Sequence, residues 1–346
     1  MKKVVASVLA VTMLAGCSGE PAVQSSSGGV PTQSVSGPEN QNGALKTGMS
    51  VTVDLSGSRS AAADGQGLAH AEITLVAVTV GDDGVIHDCI IDMVQSNVNF
   101  DGAGQLTSDT TATFASKNEL GDGYGMKKGS SIGKEWDEQV AGLAAYAVGK
   151  TVAELKGIAV DAQGIATDAD LTATITVSVS NFLTAIEDAV SNATHMGARA
   201  GDRLALSSST HIANSKSAEG ENAGLAQIYS TMAAVTFQDD QVTSCYIDGL
   251  QANVNFDASG AITTNLNLAQ QSKNQLGENY GMKKGSSIGR EWNEQAAAFG
   301  TYVVGKTVEE VNSIAVTDGK PVDADLTASV TISISEFQNL IEKAAR

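Results

Sequence analysis

The chain is poor in the residues that usually announce chemistry. Four histidines occur in 346 residues, and none stands at ligand spacing from another, so a zinc or haem centre has no ligand set to build on. There is no Gly-rich nucleotide loop and no nucleophile elbow. Basic side chains number 21 against 39 acidic ones, for a formal net charge of −18. A surface this acidic repels phosphate backbones, which excludes nucleic acid as a direct partner. No apolar run is long enough to span a bilayer. Cysteine is scarce too, with three in all, Cys17, Cys89 and Cys245. Cys89 and Cys245 lie in apolar, strand-like runs, Cys89-Ile90-Ile91 and Cys245-Tyr246-Ile247. Core strands of two separate domains rarely approach closely, so both read as buried structural thiols rather than a bridge.

What is present begins with an export signature. Lys2 and Lys3 precede a short apolar run over residues 4–14, and Leu14-Ala15-Gly16-Cys17 follows. This pattern resembles a bacterial lipoprotein signal. The resemblance implies cleavage after residue 16, a diacylglycerol on the Cys17 sulfur, and lipid anchoring on the extracellular face of the cell membrane. Residues 18–42 are rich in Ser, Gly, Gln and Pro and read as a flexible tether. The expected organisation is a signal peptide over 1–16, lipidated cysteine and tether over 17–46, and folded chain from Thr47.

The folded part reads as two copies of one unit, 47–193 and 194–346. Asn97-Val98-Asn99-Phe100-Asp101 returns as Asn253-Val254-Asn255-Phe256-Asp257, and Ser116-Lys117-Asn118 as Ser272-Lys273-Asn274. The stretch YGMKKGSSIG occurs unchanged at 124–133 and 280–289, while much around it has drifted. Each copy opens with two β-branched runs around a turn cluster, 73–80 with 85–93 and 228–237 with 242–250, which predicts an antiparallel pair. Trp136, Val140, Leu143 and Ala147 share one helical face, as do Trp292, Ala296, Phe299 and Val303. Gly149 and Gly305 are natural stops, and Thr151/Glu154 and Thr307/Glu310 form capping boxes for a second short helix. Residues 172–178 and 327–333 alternate like strands, each before a helix carrying Phe182 and Ile186 or Phe337 and Ile341. Strands and helices do not alternate regularly, so the fold class is α+β, two similar domains each with a mainly antiparallel sheet and packed helices.

The hydroxyl-rich segment Asp168-Ala169-Asp170-Leu171-Thr172-Ala173-Thr174-Ile175-Thr176 has a partner in Asp323-Ala324-Asp325-Leu326-Thr327-Ala328-Ser329-Val330-Thr331. On its own it fits a strand with Thr and Ser on the solvent face. It also resembles the flavin-attachment motif of FMN-binding domains, in which an Asp precedes a Ser/Thr-Gly-Ala-Thr stretch. With its lipoprotein signal, polar tether and paired domains, the whole chain is similar to the PplA-like tandem-domain flavinylated lipoproteins of Gram-positive bacteria that serve extracellular electron transfer. The resemblance implies FMN joined through its phosphate by a separate FMN transferase. Asp168 becomes the motif acid, Ala173 its alanine and Thr174 the attachment hydroxyl, with Asp323, Ala328 and Ser329 in the second copy. The sequence departs from the pattern where Leu171 and Leu326 replace a hydroxyl, Thr172 and Thr327 replace glycine, and Ser329 replaces threonine. Thr176 and Thr331 are therefore further acceptor candidates.

A covalent FMN needs a pocket, and the repeated loop is the expected contributor. Met126, Lys127, Lys128, Gly129, Ser130 and Ser131, with Met282, Lys283, Lys284, Gly285, Ser286 and Ser287, offer amides, hydroxyls and positive charge ahead of a helix N-terminus. Tyr124 and Trp136 (Tyr280 and Trp292) are candidates to stack on the flavin ring. The competing reading is a tight helix entry with Trp136 as a core anchor. His87-Asp88-Cys89 suggests a thiol nucleophile, but the second copy has Thr243-Ser244-Cys245, so coincidence is the simpler account. The expected function is an electron carrier rather than an enzyme, with one FMN per domain. Electrons would come from a membrane quinone or NADH dehydrogenase and leave to an extracellular acceptor. The alternatives are a non-redox lipoprotein that binds a small anion in its repeated loops, and a structural or signalling surface lipoprotein.

Overall fold

The computed structural model describes residues 43–62 and 65–346. The expected signal peptide, Cys17 and the expected tether as far as residue 42 lie outside the described residues, and residues 44–46, assigned to that tether, are the start of a strand. In the first copy the strands are β1 (Ala44–Asp54), β2 (Gly67–Val80), β3 (Ile86–Phe100) and the short β4 (Thr113–Phe114). Its helices are α1 (Lys117–Leu120), α2 (Trp136–Ala147), α3 (Val152–Leu155), α4 (Ala169–Thr172) and α5 (Ser180–Ser191). The second copy holds β5 (Thr194–Arg199), β6 (Arg203–His211), β7 (Gly224–Gln238), β8 (Gln241–Phe256) and a small pair, β9 (Val316–Thr317) and β10 (Lys320–Pro321). Its helices are α6 (Lys273–Leu276), α7 (Trp292–Val303), α8 (Val308–Asn312), α9 (Ala324–Thr327) and α10 (Ser335–Ala345). Among the described residues no helix is long and apolar enough to cross a membrane.

Two four-stranded antiparallel sheets result, ordered β3-β2-β1-β5 and β4-β6-β7-β8. The fold is α+β, with helices packed on antiparallel sheets. The expected hairpins are present and longer than the sequence suggested, because pairing continues through Asn97–Phe100 and Asn253–Phe256. Asp239 turns the second hairpin at φ +54, a left-handed conformation that Asp tolerates better than most residues. Strands β1 and β6 were not anticipated. Helices α2 and α7 bury the four-residue faces read from sequence, and Gly149 and Gly305 end them at φ +80 and +84.

The two copies share a core. Met49, Ile73, Leu75, Val98 and Phe100 form one buried cluster with Ile228, Met232, Leu250, Val254 and Phe256. At its middle Phe100 and Phe256 stack with centroids 4.1 Å apart and planes 2° from parallel. Gly67 and Gly224 make room for these rings, since a Cβ on either would come within 2.2 Å of Phe100 or Phe256. Each copy adds a second core beneath its own helices. The copies also exchange edges. β5 joins the sheet of β1, β4 pairs with β6, and the buried Thr47 and Ser244 hydroxyls meet at 2.6 Å. The folded part is a single compact unit.

One expectation is corrected. Residues 172–178 and 327–333 are not strands. The Asp168 carboxylate accepts the Asp170 amide and caps α4, and Asp323 caps α9 through the amides of Asp325 and Leu326. The hydroxyls of Thr172, Thr174, Thr327 and Ser329 then bond carbonyls three or four residues back, so the segment satisfies itself locally and needs no ladder.

Because the central core draws on both copies, residues 47–193 expressed alone should not fold. Phe256→Ala in the whole chain should cost about 3–5 kcal/mol. Urea unfolding followed by circular dichroism checks both, and the whole chain should lose structure in one transition.

Candidate functional site

The repeated loop closes on a carboxylate of its own chain. Glu135 is buried, and its two oxygens accept the amides of Met126 at 2.8 Å and Lys127 at 3.0 Å. Glu291 does the same for Met282 and Lys283 at the same distances. The Glu135 amide in turn donates to Glu138, and that of Glu291 to Glu294. Carboxylates accepting backbone N–H groups at a helix start are strongly held. Two amides expected to face a ligand anion are therefore occupied. Gly129 and Ser130 turn their amides back to the Met126 carbonyl, and Gly285 and Ser286 to that of Met282. Lys128, Ser131, Lys284 and Ser287 are exposed. Lys127 is exposed as well but lies 3.8 Å from Asp122 and 4.0 Å from Glu138, and Lys283 lies 3.7 Å from Glu278.

A buried glutamine ties this loop to the hydroxyl-rich segment. Gln139 Nε2 donates to Ser130 Oγ and to the Lys134 carbonyl, while its Oε1 accepts both the amide and the hydroxyl of Thr176. Gln295 makes the matching bonds to Ser286, Arg290 and Thr331. Both glutamines are fully buried. Thr176 and Thr331 are thus committed hydroxyls at the junction of the two segments.

Thr174 lies in the turn that follows α4, against α2, and is half-buried. Its methyl group fills the space beside Gly142, where an added Cβ would lie 1.9 Å from Thr174 Cγ2. In the second copy the matching residues are Ala298 and Ser329. The methyl has changed sides, while a hydroxyl stands at 174 and at 329. One turn beyond Gly142, Lys150 Nζ lies 3.9 Å over the Tyr146 ring, and Lys306 lies 4.6 Å over Tyr302. Tyr302 and Lys306 line a cavity of about 470 Å³ together with Asp323.

The aromatic residues of the loop have internal partners. Trp136 is buried edge-on to Phe182 at 6.0 Å. The buried Lys117 ammonium lies 4.6 Å from the Tyr124 centroid and 4.9 Å from that of Trp136. Lys273 lies over Trp292, Tyr280 and Tyr229, and donates to the Tyr229 hydroxyl at 2.7 Å. These contacts resemble a cation held in an aromatic box. Asp248 lies beneath, accepting the amides of Gly249 and Asn274. Burial pushes its carboxyl up to about 6 despite those bonds. Burial pushes the Lys273 ammonium down to about 8, against the pull of Glu336 and Asp248. The Cys89 and Cys245 thiols are free, and burial pushes both up to about 12, far from thiolate reactivity.

Sequence reading missed Glu135, Gln139 and Lys117, with Glu291, Gln295 and Lys273. The signal was present, since Glu-Trp and Glu-Gln flank α2 and α7 identically and Ser-Lys-Asn repeats. Comparison with family models, curated proteins and solved structures gives no match.

Two predictions follow from this geometry. Gly142→Ala gains about 1 kcal/mol of helix propensity but forces Thr174 aside at about 1–3 kcal/mol. Adding Thr174→Ser removes the methyl, so the double variant should be more stable than the single one in chemical denaturation. Asp248 has a folded value above its unfolded 3.8, so its contribution is complete below about pH 4 and is lost as pH rises through about 6. Asp248→Asn should flatten the decline in melting temperature across that window.

Proposed function

We propose that the chain is an exported, lipid-anchored carrier of covalently bound FMN, one per copy, attached at Thr174 and Ser329. The reading rests on the exchange at Gly142/Thr174 and Ala298/Ser329. Packing there is met by moving one methyl group, yet a hydroxyl persists on the half-exposed segment in both copies. Each hydroxyl bonds a carbonyl of its own turn, and among the described residues no other side chain takes it up.

The residues present fit the group. The Thr174 and Ser329 hydroxyls bond only a local carbonyl. Thr176 and Thr331 are the weaker acceptors, because Gln139 and Gln295 already hold them. Tyr302 and Lys306 would supply a ring face and a positive charge beside Asp323, and Tyr146 and Lys150 are their counterparts in the first copy. Bound FMN would supply one- and two-electron redox chemistry, and the chain would supply attachment and orientation. Attachment would need a separate FMN transferase. The proposed donor is a membrane quinone or NADH dehydrogenase, and the proposed acceptor is extracellular. The lipid on Cys17 and the tether would keep the carrier between them.

Anion capture by the repeated loops is the weaker reading, since Glu135 and Glu291 already take two amides in each. Intact mass of the chain from residue 18, produced in an exporting host with and without an active FMN transferase, tests the proposal. Two FMN units should appear and be lost one at a time in Thr174→Ala and Ser329→Ala. No gain beside a control substrate that is flavinylated would overturn it.

A further inference from the structure

Two grooves lie at matching places, one in each copy. The first, of about 440 Å³, runs between β3, the outer strand of its sheet, and helix α2, and is lined by Cys89, Ile91, Asn118, Asp137, Ala141 and Ala145. The second, of about 270 Å³, is lined by the equivalent Cys245, Ile247, Asn274, Asn293 and Ala297. It has an additional wall, Thr194 and Met196 of β5. β5 runs extended against β8 there. Its Gly197 backbone comes so close that a Cβ would lie 2.3 Å from the Thr243 carbonyl oxygen. The second copy thus displays what such a groove accepts, an extended segment with a methionine side chain against the cysteine strand and the small residues of the helix. Among the described residues, no segment walls the first groove in this way.

The first groove also differs in charge. Asp88 and Asp137 line it where the second copy has Ser244 and Asn293. The Ser244 hydroxyl is spent on Thr47 and Thr236 inside the fold. One carboxylate oxygen of Asp137 is shielded from solvent and has no hydrogen-bond partner, as is the amide oxygen of Asn293. A shielded, unpaired carboxylate oxygen is costly until a donor reaches it. The walls are apolar and the rim is acidic, a combination that favours a cationic ligand over a neutral one.

We propose that the groove between β3 and α2 binds an extended, cationic peptide segment of a partner protein. A methionine-sized side chain would lie between Cys89 and Ala141, and a lysine or arginine would pair with Asp88 or Asp137. As with β5, which lies against β8 while its ladder bonds go to β1, the docked segment would be held by side-chain packing and charge rather than by a strand ladder. The site is independent of the flavin proposal.

The probe is a blocked, fluorescent peptide copying residues 193–200 of this chain, Ala-Thr-His-Met-Gly-Ala-Arg-Ala, titrated by anisotropy against the full chain at low salt. Saturable binding is expected. It should weaken at least tenfold in Ala141→Trp and in Ala145→Arg, two exposed helix positions whose circular dichroism should match the parent. It should weaken about threefold in Asp88→Asn, and stay unchanged in Ala297→Trp. A peptide with Met replaced by Asp and Arg by Glu should not bind. Absence of saturation, equal affinity for the well-folded groove variants, or loss in Ala297→Trp instead would overturn the proposal. Self-association of the unliganded chain that Ala141→Trp abolishes would also overturn it, in favour of a second copy as occupant.

Discussion

The stack of Phe100 on Phe256 is the constraint on which the rest of the fold depends. It joins the ends of the longest strand in each copy, and Gly67 and Gly224 exist in the space those rings require. Neither copy can bury its ring without the other. The exchange of β5 and β4 between the sheets extends the same dependence to the edges. The two similar halves share the central core, while each helical layer packs on a core of its own half. Both halves therefore belong to one compact unit.

Retention of YGMKKGSSIG then has a local physical reason. A helix start leaves N–H groups unpaired, and the chain brings Glu135 or Glu291 to a buried position where it binds the amides of the preceding loop. Ser130 and Ser286 meet Gln139 and Gln295, which also hold Thr176 and Thr331. A change at Ser130 or Ser286 would take a partner from a buried glutamine amide, and a buried polar group without its partner costs more than the bond itself contributes, whereas the amides held by Glu135 and Glu291 are backbone groups that exclude only proline. The loop is kept because it is the socket for interior polar groups. That places the hydroxyl-bearing turn beside it with a precision a solvent-exposed loop would not provide.

How much of this was legible follows from which forces leave a pattern. α2 and α7 were legible because one face carries Trp, Val or Ala, Leu or Phe at helical spacing. The hairpins were legible from their turn residues. β6 was not, because Ser207, Ser208 and Thr210 are buried and are satisfied by the Leu340 carbonyl and Ser230 among others, whereas hydroxyls in sequence suggest a surface. Residues 172–178 imitate a strand because Ile175 and Val177 alternate with hydroxyls, yet only Ile175 is fully buried and the Asp168 cap decides the local geometry. The site's candidate hydroxyls were found by resemblance. Glu135, Gln139 and Lys117 were overlooked because charged and amide side chains are rarely core residues, although both copies carry the same set.

The differences between the copies separate two kinds of change. Gly142 with Thr174 against Ala298 with Ser329 conserves volume and hydroxyl together, as expected where packing and an exposed group are both needed. Other changes are uncompensated. Glu72 on β2 corresponds by pairing register to Tyr229 on β7, and Tyr229 gives Lys273 a hydroxyl partner and a third aromatic face that Lys117 lacks. Asp88 and Asp137 replace Ser244 and Asn293 along one groove only. Drift under packing constraints alone would scatter neutral exchanges. The charge changes are spread over the first copy, at Asp88 on β3, Glu119 on α1, Asp137 on α2, Lys156 after α3 and Asp188 on α5, which correspond to Ser244, Gln275, Asn293, Asn312 and Lys343, while the added interior contacts gather around Lys273 in the second. The copies have one frame but different surroundings, so two identical cofactors attached at 174 and 329 would experience unlike electrostatic fields. On the proposed reading, the two attached groups would therefore be graded rather than equivalent.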